Sequence, residues 1–545
     1  MKSPAQISLA CAALFLAVFA AARAPADDLC RLTLRLVDAT SGLPQAGLVR
    51  IMANGRPLGL PGLVSVATGM PADHFAHDWY ALAGAATVTV PQGPLEIEAI
   101  SGIETELTRQ SVDVSGKRTA GTDIPLTALP RPAGRGWQGA NTHLHLTGIS
   151  PAGAEAYLRS VPQACGLDLV FLSYVQRPGA DHVYVSNTYT PSDLARLSAA
   201  GAVRFGYGEE HRHDFGAKGG GYGHVLLLNT PDLVRPVSIG AAIMGQGPDW
   251  PPLRPGLEQA RAAGGTVIWC HNSYGDEDIP SWLAGRVDAQ NIFDGGSDRR
   301  YEDTFYRYLN AGLKVPLSSG TDWFMGDFGR VYVRLEQPLS AGAWLDALKQ
   351  GRSYITNGPL LSFRVGSNEI GDTIKLAGPG ELTIAGRAWG RCDFRRLQVV
   401  WNGTVVQEIQ STRVNGHFEA AMDFSFAVTE PGWLAMRVMQ PESYPAAGGV
   451  RPGLRHAGDM RNEFGEILFA HTSAVYVEMA GAGVFKRDAA ESLLAEMERS
   501  RQAITAKGIF TTGAQREEVI EVYSEGIERL RRQLNQRGLR SPSPS

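Results

Sequence analysis

The sequence predicts an α/β domain with largely parallel strands, flanked by two β-sandwich-like domains and followed by a helical tail. Three observations carry that expectation. Period-two alternation broken by turn residues fills the early part of the chain and returns after residue 359, strand-then-helix texture fills the stretch between, and two blocks of helical period close the chain. At 545 residues there is room for about three or four domains of roughly 100 to 200 residues each. The 44% hydrophobic and 19% charged composition belongs to folded globular protein and argues against long disorder. With 51 Lys and Arg against 55 Asp and Glu the formal charge is −4, so there is no basic excess to neutralise phosphates, and a nucleic-acid partner is not expected.

The elements follow in chain order. Residues 1–26 combine Lys2, an uncharged stretch over 7–22 and the small residues Ala24-Pro25-Ala26, the pattern of a cleaved secretory leader that places the chain in the periplasm or outside the cell. The alternative is an uncleaved anchor, and no other stretch is apolar enough to span a bilayer. Residues 27–134 read as a β-sandwich-like domain, with Leu32, Leu34 and Leu36 alternating before Ser41-Gly42-Leu43-Pro44 and further strands around Val49 and Ile51 before Asn54-Gly55. Over 137–351 short apolar runs such as Leu169-Val170-Phe171-Leu172 and Thr266-Val267-Ile268-Trp269 alternate with helical windows, which predicts parallel strands joined by helices. Residues 352–480 return to β patterning, as in Gln398-Val399-Val400-Trp401 before Asn402-Gly403. The stretch 486–537 carries two helical blocks. Cys30, Cys165, Cys270 and Cys392 follow the leader without zinc-knuckle spacing, and the sequence leaves their pairing open.

Seven of the 12 histidines, His143, His145, His182, His211, His213, His224 and His271, fall within the α/β stretch. On a strand, His143 and His145 point to one face and can share one metal. Tyr207-Gly208-Glu209-Glu210-His211-Arg212-His213-Asp214 then adds carboxylates and imidazoles, a ligand set suited to Zn, Mn or Fe. Gly223-His224 opens an apolar run, while Cys270-His271-Asn272 and Ser319-Gly320-Thr321-Asp322 each end one. Parallel sheets build their sites at such strand ends. The glycines at 219, 220, 221 and 223 lack the Gly-Lys-Ser/Thr of a phosphate loop and read instead as a loop or lid.

Together these motifs resemble the CehA/McbA family of metallohydrolases within the polymerase and histidinol phosphatase (PHP) superfamily. The likeness covers roughly residues 137–478. It is carried by Trp137-x-Gly139-x-Asn141-x-His143-x-His145, Gly208-x-Glu210-x-Arg212-His213-Asp214-Phe215, Gly221-Tyr222-Gly223-His224, Trp269-Cys270-His271-Asn272 and Gly320-Thr321-Asp322. The resemblance implies a distorted (β/α)7 barrel and hydrolysis of an ester, carbamate or phosphoester bond of a small molecule by two divalent cations. It also implies that His143, His145 and Asp322 hold one ion, that His224 and His271 hold the second, and that Glu210, at the family's Gly-x-Glu position, bridges them. Three departures stand out: Ser173-Tyr174-Val175, Phe324 after Asp322-Trp323, and Pro151 occupy the positions that serve a third metal in trinuclear relatives. A binuclear site is therefore expected.

Two cations sharing Glu210 are expected to lower the pKa of a bridging water from about 16 toward about 7, which makes hydroxide the nucleophile. Arg212 and His213 are candidates to bind or protonate substrate. A Ser-His-Asp hydrolase is disfavoured because no Gly-x-Ser-x-Gly is present. The remaining alternative is a non-catalytic extracytoplasmic binding protein that keeps a structural metal in a degenerate PHP barrel.

Overall fold

The structure is a computed structural model that describes residues 28–71, 74–130, 136–178, 184–216, 221–272, 275–294, 301–438 and 460–538. The expected leader over 1–26, the glycines at 219 and 220, and His182 and His456 lie outside the described residues.

The expectation of an α/β chain built on a (β/α)7 barrel does not hold. Among the described residues strand outweighs helix, 39% against 25%, and the central feature is one curled 17-stranded sheet of mixed direction. The sheet begins as the sequence implies. The strands Trp137–His145, Leu169–Val175 and Arg204–His213 pair in parallel, and the helices Pro151–Ala164 and Pro191–Ala200 cross between them. Both helices start on a side-chain cap and an early proline, Ser150 before Pro151 and Thr190 before Pro191. The pattern then breaks. Residues 214–222 are too few for a crossover helix, so Gly223–Leu228 folds back antiparallel to Arg204–His213, and Thr266–Trp269 pairs antiparallel to it in turn. The short strands Ala289–Asn291 and Leu317–Ser318 follow in parallel. The sheet curls back because Trp137–His145 also pairs with Asp322–Trp323 and, antiparallel, with Arg330–Arg334.

Nor does the sheet end with this segment. Arg330–Arg334 pairs with Ser353–Thr356, which pairs with Ala470–Thr472, and the ladder runs on through Gly432–Val438 and Arg396–Trp401. A separate five-stranded sheet, which includes Leu360–Val365, Gly380–Gly390 and His417–Val428, packs through Leu361, Ile384 and Met422 on the same apolar cluster as Val399 and Met436. At the N-terminal end, Leu29–Asp38 buries Cys30, Leu32, Leu34 and Leu36 against Val49, Ile51 and Ile97 of a second sheet. At the C-terminal end, the helices Arg487–Lys507 and Gly513–Gly538 form an antiparallel hairpin whose Leu493, Met497, Val522 and Leu530 join the central core, and Arg286 ties the hairpin down through Glu525. Cys30, Cys165, Cys270 and Cys392 are all free thiols. Among the described residues no helix is long and apolar enough to cross a membrane.

Candidate metal centre

The curl of the sheet gathers side chains from five strands or strand ends into one buried cluster. His143 and His145 project from the same face of Trp137–His145 and are both fully buried. The ring orientation of each is fixed from behind. His143 Nδ1 lies 2.8 Å from Asp294 Oδ2, and His145 Nδ1 lies 2.9 Å from the Ser173 carbonyl oxygen. A carbonyl or carboxylate partner requires Nδ1 to carry the proton, which leaves Nε2 as the lone-pair nitrogen of each neutral ring. Those two Nε2 atoms are 3.0 Å apart. His145 Nε2 is 3.2 Å from Glu210 Oε2, and Asp322 Oδ1 is 3.3 Å and 3.7 Å from the two Nε2 atoms. Asp322 Oδ1 is buried and has no hydrogen-bond partner among the described residues. With both rings neutral, four acceptors face one point. His143, His145, Glu210 and Asp322 form a group able to hold a metal ion.

The second oxygen of Glu210 faces a second group. Glu210 Oε1 is 3.1 Å from His224 Nδ1 and 3.3 Å from His271 Nε2, and these three residues are also grouped closely enough to hold an ion. Asp294 supports both groups. Its Oδ2 meets His143, and its Oδ1 accepts the His271 backbone N–H at 2.9 Å and lies 3.4 Å from His271 Nδ1. Burial alone would raise the Asp294 pKa, but His271 and His143 overturn that and hold it far below the carboxylate range. Glu210 is likewise held well below its ordinary value, by Arg212 and the imidazoles against the effect of burial. Burial lowers the His143 and His271 pKa values, yet Asp322 and Asp294 for the first, and Asp294 and Glu210 for the second, lift both well above the ordinary imidazole value.

Backbone geometry at the strand ends serves the same convergence. His271 and Asp322 both adopt left-handed conformations, with φ of 52° and 59°, at a cost on the order of 1 kcal/mol each. Gly320 lets the Asp322 turn lie against the His143 strand, because a Cβ there would stand 2.6 Å from His143 N. Asn272 accepts the Phe293 N–H at 2.8 Å and so holds the His271 and Asp294 loops together.

The strand Arg204–His213 shows which neighbours of Glu210 belong to the site. Arg212 shares its face, with Nε 3.7 Å from Glu210 Oε1 and 3.4 Å from His224 Nε2. Asp214, just beyond the strand end, lies 3.9 Å from His224 Nε2, and burial pushes it up to about 6. His213 is on the opposite face and does not join the cluster. Its ring nitrogens meet the carbonyl oxygens of Pro251 and Pro236 at 2.8 Å and 3.1 Å, and burial takes its pKa down to about 3. Glu209 also points to that far face, where it pairs with His211.

Two residues of the centre were not singled out from the sequence. Asp294 ends the apolar run Ile292-Phe293, the same strand-end signal that marks Asp322. Cys270 forms a third possible metal-holding group with His143 and His271, and burial raises its thiol to about 11. Among the departing positions, Pro151 starts a helix, Phe324 packs against Tyr157, and Ser173 supplies the carbonyl that orients His145. His471 pairs with the Tyr306 hydroxyl at 2.7 Å and is not among the groups able to hold a metal, and His417 bridges Glu106 and Glu419. No family model matches this chain, and no curated protein matches it.

Proposed function

We propose that this chain is a metal-dependent hydrolase of a small-molecule ester, carbamate or phosphoester, related to the CehA/McbA metallohydrolases and exported by the leader over residues 1–26. The observation that carries the reading is the convergence of ligand-capable atoms on one carboxylate: His143, His145 and Asp322 beside one oxygen of Glu210, and His224 and His271 beside the other. Two divalent cations, of Zn, Mn or Fe, would suit this set, and His143, His145, Asp322, His224, His271 and Glu210 are the residues that would hold them. When bound, they supply a water of lowered pKa as nucleophile and a Lewis-acid contact for the substrate oxygen.

The chain's own residues do the positioning. Asp294 and the Ser173 carbonyl fix the tautomers of three imidazoles, so little reorganisation is left for the reaction. Arg212 is placed to meet negative charge developing on the substrate, beside the groups that hold the ions. Deep burial of His143 and His145 favours the rival reading, a closed structural metal. The side chains of His271 at 20%, Arg212 at 15% and Asp322 at 13% exposure nevertheless leave one side reachable, as a catalytic site needs.

The test is hydrolysis of chromogenic aryl esters, carbamates and phosphoesters by manganese- or zinc-loaded protein beside Glu210→Gln. Turnover by the wild type alone supports the reading. Equal rates for both proteins contradict it.

A further inference from the structure

Arg177, Tyr184 and Trp323 lie beside the cluster but take no part in holding it. Trp323 follows Asp322, and its ring is 5.1 Å from the His145 imidazole. The Tyr184 ring is 5.3 Å from that of Trp323 and 6.3 Å from that of His145. The Arg177 guanidinium lies over both rings, 4.9 Å from the Tyr184 centroid and 6.0 Å from that of Trp323. Tyr184 is 1% exposed, yet its hydroxyl has no hydrogen-bond partner among the described residues, and neither does the fully buried hydroxyl of Ser173.

Charge gives this group its meaning. Among the described residues Arg177 makes no ion pair, and its contacts are the two aromatic faces. Partial burial and repulsion from Arg212 both oppose its charge, while Glu210 and Asp322 favour it, so the guanidinium is within electrostatic reach of the centre. Two divalent cations would cancel the attraction of Glu210 and Asp322 and leave Arg177 and Arg212 as surplus positive charge. An arginine with unspent N–H donors, resting on two rings beside a cationic centre, is complementary to an oxyanion attached to a flat apolar group.

We propose that Arg177, Tyr184 and Trp323 form a substrate subsite that binds an oxyanion carried on an aromatic or similarly flat body, and so select anionic over neutral substrates. This rests on the metal-centre reading above and adds the class of ligand. The probes are phenylphosphonate, inorganic phosphate and benzyl alcohol, titrated calorimetrically into manganese-loaded wild type, Arg177→Gln and Tyr184→Phe, with metal content measured for each protein. Phenylphosphonate is expected to bind more tightly than phosphate, and benzyl alcohol most weakly. Arg177→Gln is expected to weaken phenylphosphonate by about tenfold or more with manganese retained, the loss of a charge-assisted contact. Tyr184→Phe is expected to weaken it by several-fold. Equal phenylphosphonate affinity in wild type and Arg177→Gln would overturn the proposal, as would loss of manganese from Arg177→Gln or equal binding of benzyl alcohol. If the oxyanion binds as stated but no ester is turned over, the hydrolase reading falls and the subsite stands.

Discussion

The two faces of the strand Arg204–His213 carry nearly the same chemistry and do opposite things with it. The far face has Glu209, His211 and His213, and the near face has Glu210 and Arg212, with His224 and His271 arriving from neighbouring strands. On the far face the acids and rings pair with one another and with the backbone. Glu209 accepts the Val234 N–H at 2.9 Å and lies 2.8 Å from His211 Nδ1, and His213 faces two carbonyls. Burial dominates there and favours neutral groups, with Glu209 pushed up to about 8 and His211 down to about 3. On the near face Arg212 lies beside Glu210, yet His143, His145, Asp322, His224 and His271 still crowd the two oxygens of that carboxylate, an arrangement a bound cation would relieve. Residue type alone therefore does not mark a metal site, whereas the convergence of several ligand-capable atoms on the two oxygens of one carboxylate does.

The largest break in this contrast is Glu210→Gln, which removes the one group shared by both halves of the cluster. Metal content is expected to fall together with hydrolysis, the latter by about 10³-fold or more. Elemental analysis beside initial rates checks both. Asp294→Asn comes next. It keeps the shape of the side chain but removes the charge that orients His143 and His271, so metal affinity is expected to fall by about 10- to 100-fold, read by competition with a chelating dye. A smaller effect is expected on the far face. His213→Gln removes a ring held by two carbonyls and is expected to cost about 1–3 kcal/mol of stability while leaving the metal content of the folded protein unchanged. Chemical denaturation with metal analysis distinguishes that outcome from a role in the centre.

Acidity separates the faces in a further way. His143 and His271 have folded-state pKa values raised above 6.5. Their contribution to stability is thus full below that value and is lost as pH rises through the folded-state pKa values. Chelator-treated protein is expected to lose Tm as pH rises above about 6.5, and metal-loaded protein to resist that loss because cations replace the protons. Parallel pH-dependent melts would show no such divergence if the cluster bound no metal.

Much of the centre was legible because strand alternation is a local signal. It placed His143 with His145, whereas Glu210 was preferred to Glu209 only through the Gly-x-Glu position of the resemblance, although alternation sets the two on opposite faces. His224, His271 and Asp322 were legible as ligand-capable residues at the ends of apolar runs. The same alternation, applied one residue further, argues against His213 as a partner of Glu210. Asp294 was harder to see, since a single acid after Phe293 has no neighbouring motif and its importance arises only from touching two histidines distant in sequence. The sheet was misjudged for a similar reason. Short apolar runs do not encode their direction, and the pairing of Ser353–Thr356 with Arg330–Arg334 and Ala470–Thr472 carries the sheet past any boundary that composition can show.

The central claim is that Glu210 joins two metal-holding groups, and metal stoichiometry tests it most directly. Protein purified without chelators, loaded with manganese and dialysed should hold two ions per chain, and Glu210→Gln should hold fewer. Three ions per chain, or none in the wild type, would contradict the account.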